Sequence, residues 1–148
     1  MSTDWPRGLY QLLKSEGVRQ VSVVPDAGHA ELIGLCESDS GIELVRLTTE
    51  EEGVALAMGA WLGGDKSVLL TQSSGVGNCV NMLAMLAVSQ TPLTMLVTMR
   101  GEWGEFNPWQ VPMGRATQAV LEAMGVLDRK STRLNSSHSS VSRMPSSA

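Results

Sequence analysis

Four short apolar runs, at residues 21–24, 42–47, 67–71 and 93–99, alternate with stretches of helical period. The first, Val21-Ser22-Val23-Val24, is rich in β-branched residues and is stopped by Pro25. Helical stretches fall at 27–37, 51–62 and 76–88, and Gly63-Gly64 ends the second of them. Another helix opens the chain. Asp4 precedes Trp5-Pro6, with proline tolerated in a first turn, and Leu9, Leu12 and Leu13 form one stripe before Gly17. A loop at 100–112 and a helix at 113–124 follow the last run. Strand–helix alternation implies right-handed crossovers and a parallel sheet. Runs that are apolar on both faces require helical cover on both faces. The expected architecture is α/β, a three-layer parallel sheet with helices on both faces. Gly125-Val126-Leu127 reads as the start of a further strand, so the sheet is expected to be truncated at the C-terminal end.

The chain of 148 residues suffices for one domain with its own core, and 43% hydrophobic against 18% charged residues suits a globular one. Residues 129–148 differ from the rest. They hold eight serines and four basic residues, no acidic residue and no period. They resemble translated vector or adapter sequence and are set apart as a non-native or disordered tail. Residues 1–128 then carry seven Lys or Arg against fifteen Asp or Glu. That balance excludes nucleic acid as a partner, since phosphates require a basic face. Cys36 and Cys79 have neither metal-ligand nor disulfide-framework spacing and read as small buried hydrophobes. The most apolar stretch, 79–99, is too interrupted by polar residues for a membrane span. The first residues lack an apolar signal region, and a cytoplasmic protein is expected.

Ligands of such sheets lie at the carboxyl ends of the strands. Three loops are expected there, at 25–28, 48–50 and 72–78. Glu50 opens the helix after the second strand, and Gly53, Ala55, Ala57 and Gly59 make that helix unusually smooth. After the third strand comes Ser73-Ser74-Gly75-Val76-Gly77-Asn78. A glutamate, a small-residue helix with a glycine nine residues on, a strand and a serine–glycine-x-glycine–asparagine turn, in this order, resemble the pyrimidine-binding domain of thiamine diphosphate enzymes. The resemblance spans residues 5–126. Each motif alone is common; their order and spacing make the match specific.

The resemblance implies thiamine diphosphate as cofactor, with Glu50, Ser74, Gly75, Gly77 and Asn78 binding it. In this family a carboxylate hydrogen-bonded to the pyrimidine ring nitrogen lets the cofactor activate its own thiazolium carbon. Glu50 takes that role here. Glu51 and Glu52 follow directly and could shift the register by one. Acidic residues at a helix start also stabilise its dipole by about 0.3–1 kcal/mol, the role assigned to Glu51 and Glu52.

Downstream, Met99-Arg100-Gly101-Glu102 with Gln110 and Met113-Gly114, together with Val24-Pro25-Asp26, are similar to motifs of sulfopyruvate and phosphonopyruvate decarboxylases. This implies a 2-oxo acid decarboxylase for an anionic 3-substituted pyruvate. Arg100 would bind the substrate's anion, with Gln110 and His29 beside it. Asp26 would relay a proton. The competing readings are a helix N-cap for Asp26, an ion pair to Glu102 or Glu105 for Arg100, and a surface or capping role for His29. Trp103, Phe106 and Trp109 read either as a lid or as a packed loop. Met82, Met85, Met95 and Met99 read as core or subunit interface, and Val80, Leu83, Ala84 and Ala87 as interface.

The family's diphosphate motif, glycine–aspartate–glycine followed by an asparagine, does not occur in this sequence. The resemblance therefore implies an α-type subunit of a homo- or hetero-oligomer. A pyrophosphate-binding β-type partner would hold Mg²⁺, and this chain would supply no metal ligand. The alternative is a non-catalytic α/β domain that binds a small molecule.

Overall fold

The computed structural model describes residues 4–130 and 139–143. Helix α1 (Trp5–Ser15) carries Pro6 in its first turn, where a missing N–H costs nothing, and buries Leu13. Gly17, at φ +74°, makes a left-handed turn that a side chain would strain, and the chain enters β1 (Val18–Val23). The helix expected from residue 27 opens instead as a tight 3-10 turn (Ala27–His29), because the Asp26 carboxylate accepts from the Gly28 N–H. Helix α2 (Ala30–Glu37), β2 (Glu43–Arg46), α3 (Glu50–Leu62) and β3 (Lys66–Gln72) follow. At the start of α3 the Glu52 carboxylate accepts from the backbone N–H groups of Thr48 and Thr49, while Glu51 is exposed.

The next two elements depart from the sequence reading. Helix α4 (Ser73–Ser89) begins directly after β3. The serine–glycine stretch is thus its first two turns, not a loop, and Gly75 and Gly77 have no positive φ. Their role is clearance rather than backbone freedom. After β4 (Thr94–Thr98), α5 (Gln110–Ala123) starts three residues earlier than expected, with Pro112 in its first turn.

The strands β1 to β4 are all parallel, in the order β2-β1-β3-β4. The chain therefore steps one way from β1 to β2 and the other way through β3 and β4, which opens a crevice at the β1–β3 junction. Right-handed crossovers then put α2 beside α1 on one face and α3, α4 and α5 on the other. Leu69, Met95 and Val97 point into the α3–α5 core, while Val68, Leu70 and Leu96 point into the α1–α2 core. Both faces are covered, as apolar strands require. Strands β5 (Leu127–Lys130) and β6 (Ser139–Arg143) add an antiparallel pair, with β6 beside β4. Strand β6 lies within the segment set apart as a tail and occupies the edge that β4 would otherwise expose.

Cys36 and Cys79 are fully buried, and burial pushes their thiols up to about 11 and about 12. Met95 is core, Met82 and Met99 pack against it, and Met85 is exposed. Leu83 is also core. Its place as an interface residue is corrected, because its side chain is spent within this chain. Among the described residues no helix is long and apolar enough to cross a membrane.

Candidate cofactor and substrate site

The carboxyl ends of β1, β2 and β3 bring the predicted residues to one end of the sheet. Glu50 is the first residue of α3, and only 9% of it is exposed. Asn78, on α4, donates its side-chain N–H to Glu50 Oε2 at 2.8 Å. Gly75 lies against the same carboxylate. A Cβ there would sit 2.5 Å from Glu50 Cδ and would overlap Thr71 Oγ1. Gly77 is exposed, and a Cβ on it would approach the sulfur of Met113 at 3.3 Å. Ser74 is half-buried, with Oγ 3.5 Å from Gln72 Oε1. The smooth helix that Glu50 opens divides its small residues between two uses. Gly53 and Ala57 let it settle on the sheet, where a Cβ at 53 would meet Leu69 at 2.6 Å. Ala55 and Gly59 face outward.

Asp26 anchors a second cluster beside the first. Its Oδ1 accepts from Gln72 Nε2 at 2.5 Å, and its Oδ2 accepts from the Thr98 hydroxyl at 2.7 Å and the Gly28 N–H at 3.1 Å. The N-cap reading of Asp26 is therefore part of the structure, and the same carboxylate also ties the ends of β1, β3 and β4 together. His29 is fully buried, so its reading as a surface residue is corrected. It precedes α2, but its side chain makes no capping bond. Neither ring nitrogen has a hydrogen-bond partner among the described residues, and Nδ1 stands 4.0 Å from Asp26 Oδ2. Burial lowers its pKa and the charge on Asp26 only partly opposes this, so the ring is kept neutral.

Arg100 follows β4, and its backbone N–H donates to the Ser73 hydroxyl. Its guanidinium is not open on all sides. Nε and Nη2 each donate to the Glu105 carboxylate at 2.8 Å, with the Phe106 ring 5.9 Å from the guanidinium carbon. The ion-pair reading of Arg100 is thus realised, with Glu105 as partner. Glu105 also accepts from the backbone N–H groups of Gly101 and Asn107. These bonds, the one from Arg100 first, hold its carboxyl down at about 2. Gln110, the first residue of α5, is buried, and its Oε1 has no partner among the described residues. Trp103, Phe106 and Trp109 are exposed, which excludes a packed loop within this chain. Among the described residues no group of three or more His, Cys, Asp or Glu is placed to hold a metal ion.

Sequence reasoning missed Thr71, Gln72, Ser73 and Thr98, and it named Glu105 only as one of two possible ion-pair partners of Arg100. These four mark the points where apolar parallel strands turn polar at their carboxyl ends, a signal that was present in the sequence. No such signal separated Glu105 from Glu102.

A parallel α/β sheet with polar side chains gathered at the carboxyl ends of its strands has the form of a ligand-binding domain. Comparison with known proteins makes this specific. The family described as thiamine pyrophosphate enzyme, N-terminal TPP binding domain, matches residues 6–124, and the chain belongs to it, among its decarboxylase members. The chain is 38% identical over 127 residues to sulfopyruvate decarboxylase subunit alpha of Methanothermobacter thermautotrophicus, across 85% of this chain and 77% of that one. The protein of the same name from Methanocaldococcus jannaschii is 36% identical over 115 residues, covering 77% and 68%. Phosphonopyruvate decarboxylase of Streptomyces viridochromogenes is 38% identical over 108 residues, 72% of this chain but 27% of that one.

Proposed function

We propose that residues 1–128 form the pyrimidine-binding domain of an α-type subunit in a thiamine diphosphate-dependent 2-oxo acid decarboxylase. Its substrate is an anionic 3-substituted pyruvate of the sulfopyruvate or phosphonopyruvate type. A β-type partner binds the diphosphate and Mg²⁺. The observation that carries this reading is the Glu50 carboxylate, nearly buried, oriented by Asn78 through one oxygen and uncrowded at Gly75. The second oxygen can accept from a protonated pyrimidine nitrogen, and the absence of a side chain at 75 makes room for the carboxylate itself. These residues fit the cofactor. When bound, thiamine diphosphate supplies the electron sink for loss of carbon dioxide.

The chain's own residues then divide the work. Glu50 holds the pyrimidine proton, and Asn78 fixes the carboxylate's plane. Ser74, Gly75 and Gly77 shape the ring's surroundings. Asp26 moves a proton near the reacting carbon, held in place by Gln72 and Thr98. Arg100 meets the substrate's anionic end, and Gln110 and His29 are the further substrate-binding candidates. Both are buried, and neither Gln110 Oε1 nor the imidazole has a hydrogen-bond partner among the described residues.

Mixing tests the reading. The chain alone is expected to turn over no 2-oxo acid, and decarboxylation of sulfopyruvate or phosphonopyruvate is expected once the β-type subunit, Mg²⁺ and thiamine diphosphate are added. Turnover by the chain alone, or a complete complex inert to every 3-substituted pyruvate, contradicts it.

A further inference from the structure

The loop after β4 is fixed more firmly than its exposure suggests. Arg100 N–H is tied to Ser73, and a Cβ on Gly101 would come within 2.7 Å of the backbone at Gln110 and Val111. A Cβ on Gly114 would overlap the Arg100 carbonyl oxygen. No side chain separates the loop from α5 at these two points. Within that frame the Glu105 side chain, 6% exposed, accepts from two backbone N–H groups and from two nitrogens of Arg100. A carboxylate with four charge-assisted or backbone bonds is not displaced by an arriving ligand. It is a fixed fixture.

A guanidinium offers its five N–H donors along two usable edges, one formed by Nε with a terminal nitrogen and the other by the two terminal nitrogens. Glu105 occupies the first edge. We propose that Glu105 is a positioning residue that locks Arg100 so that the substrate's anion is received end-on, by the pair of terminal nitrogens alone. This deepens the proposed function and rests on Arg100 meeting the substrate anion. The arrangement has two consequences. Arg100 arrives with its rotamers already fixed, so binding does not have to order a long side chain. Glu105 also cancels most of its net charge, so recognition depends on the direction of the hydrogen bonds more than on Coulomb attraction.

Gly101 and Asn107 donate to different oxygens of Glu105. In Glu105→Gln the amide therefore keeps an acceptor for only one of them and turns its own N–H donors toward the other and toward Arg100, which then swings away. The test is steady-state kinetics of the complete α–β complex with thiamine diphosphate and Mg²⁺, on sulfopyruvate or phosphonopyruvate, whichever it turns over. Thermal unfolding is read alongside. Glu105→Gln is expected to raise KM about tenfold, one charge-assisted contact's worth, with kcat within about threefold. Glu105→Asp is expected to recover part of the loss. Arg100→Ala and the double variant Arg100→Ala with Glu105→Gln are expected to share one KM, because Glu105 acts only through Arg100. An unchanged KM in Glu105→Gln, or a double variant worse than Arg100→Ala, overturns the proposal. If Arg100→Ala itself leaves KM unchanged, the error lies instead in the assignment of Arg100 to the substrate.

Discussion

Glu50 and Glu105 are both largely enclosed carboxylates at the same end of the sheet, and they are held in opposite ways. Glu105 accepts four hydrogen bonds and is paired with Arg100. Glu50 accepts one among the described residues, from Asn78, and faces a glycine. A nearly buried carboxylate with unused acceptor capacity can take a further donor from a ligand. A saturated one is already complete. Under the proposed function the first is left to meet a cofactor, and the second holds Arg100 in place.

The largest effect that would separate them is on turnover. Glu50→Gln in the complete complex is expected to lower kcat about 10²–10⁴-fold, the range of a lost proton-handling group. Its melting temperature should stay within a few degrees, because glutamine still accepts from Asn78. A comparable loss from Glu105→Gln would break the distinction. Next comes Gly75→Ala. The new methyl would collide with Glu50 and Thr71, so a loss of about 1–3 kcal/mol of stability is expected by chemical denaturation, together with lost activity. Unchanged stability would mean that α4 shifts freely away from Glu50, and the account of the pocket's shape would fail.

The smallest effects are on pH dependence. His29 is held below its ordinary 6.5 by burial. Its folded form resists protonation, so stability is full above pH 6.5 and is lost as pH falls below it. Glu105 is held down at about 2 from 4.5. Its contribution is full above pH 4.5 and is lost as pH falls through about 2. Urea unfolding across pH should show two separate acid limbs. His29→Phe, which keeps a ring without a titrating nitrogen, is expected to flatten the upper limb. Glu105→Gln is expected to reduce the lower, which Asp39, held well below the usual carboxylate range first by Lys14, shares. A single limb untouched by either variant would contradict both assignments.

The sheet and its helices were legible because period-2 and period-3.6 patterns alternate cleanly, and Glu50 was legible because an acidic residue opens an otherwise smooth apolar helix. The start of α4 was misread because glycines signal turns locally, whereas Gly75 is glycine for the sake of a carboxylate on another helix. The Asp26 cluster joins residues 46 and 72 positions apart, and no local pattern records such pairing. Glu105 was one acidic residue among several in a loop without period. One of its four bonds comes from Gly101, which turns at φ +74°.

The central claim is that Glu50 acts through the cofactor's pyrimidine. It is tested most directly by proton–deuterium exchange at the thiazolium carbon of thiamine diphosphate bound to the α–β complex, followed by quenched-flow NMR. Glu50→Gln is expected to slow that exchange about 100-fold or more relative to wild type, while Glu105→Gln leaves it unchanged. Wild-type exchange in Glu50→Gln, with the cofactor still bound, would contradict the account.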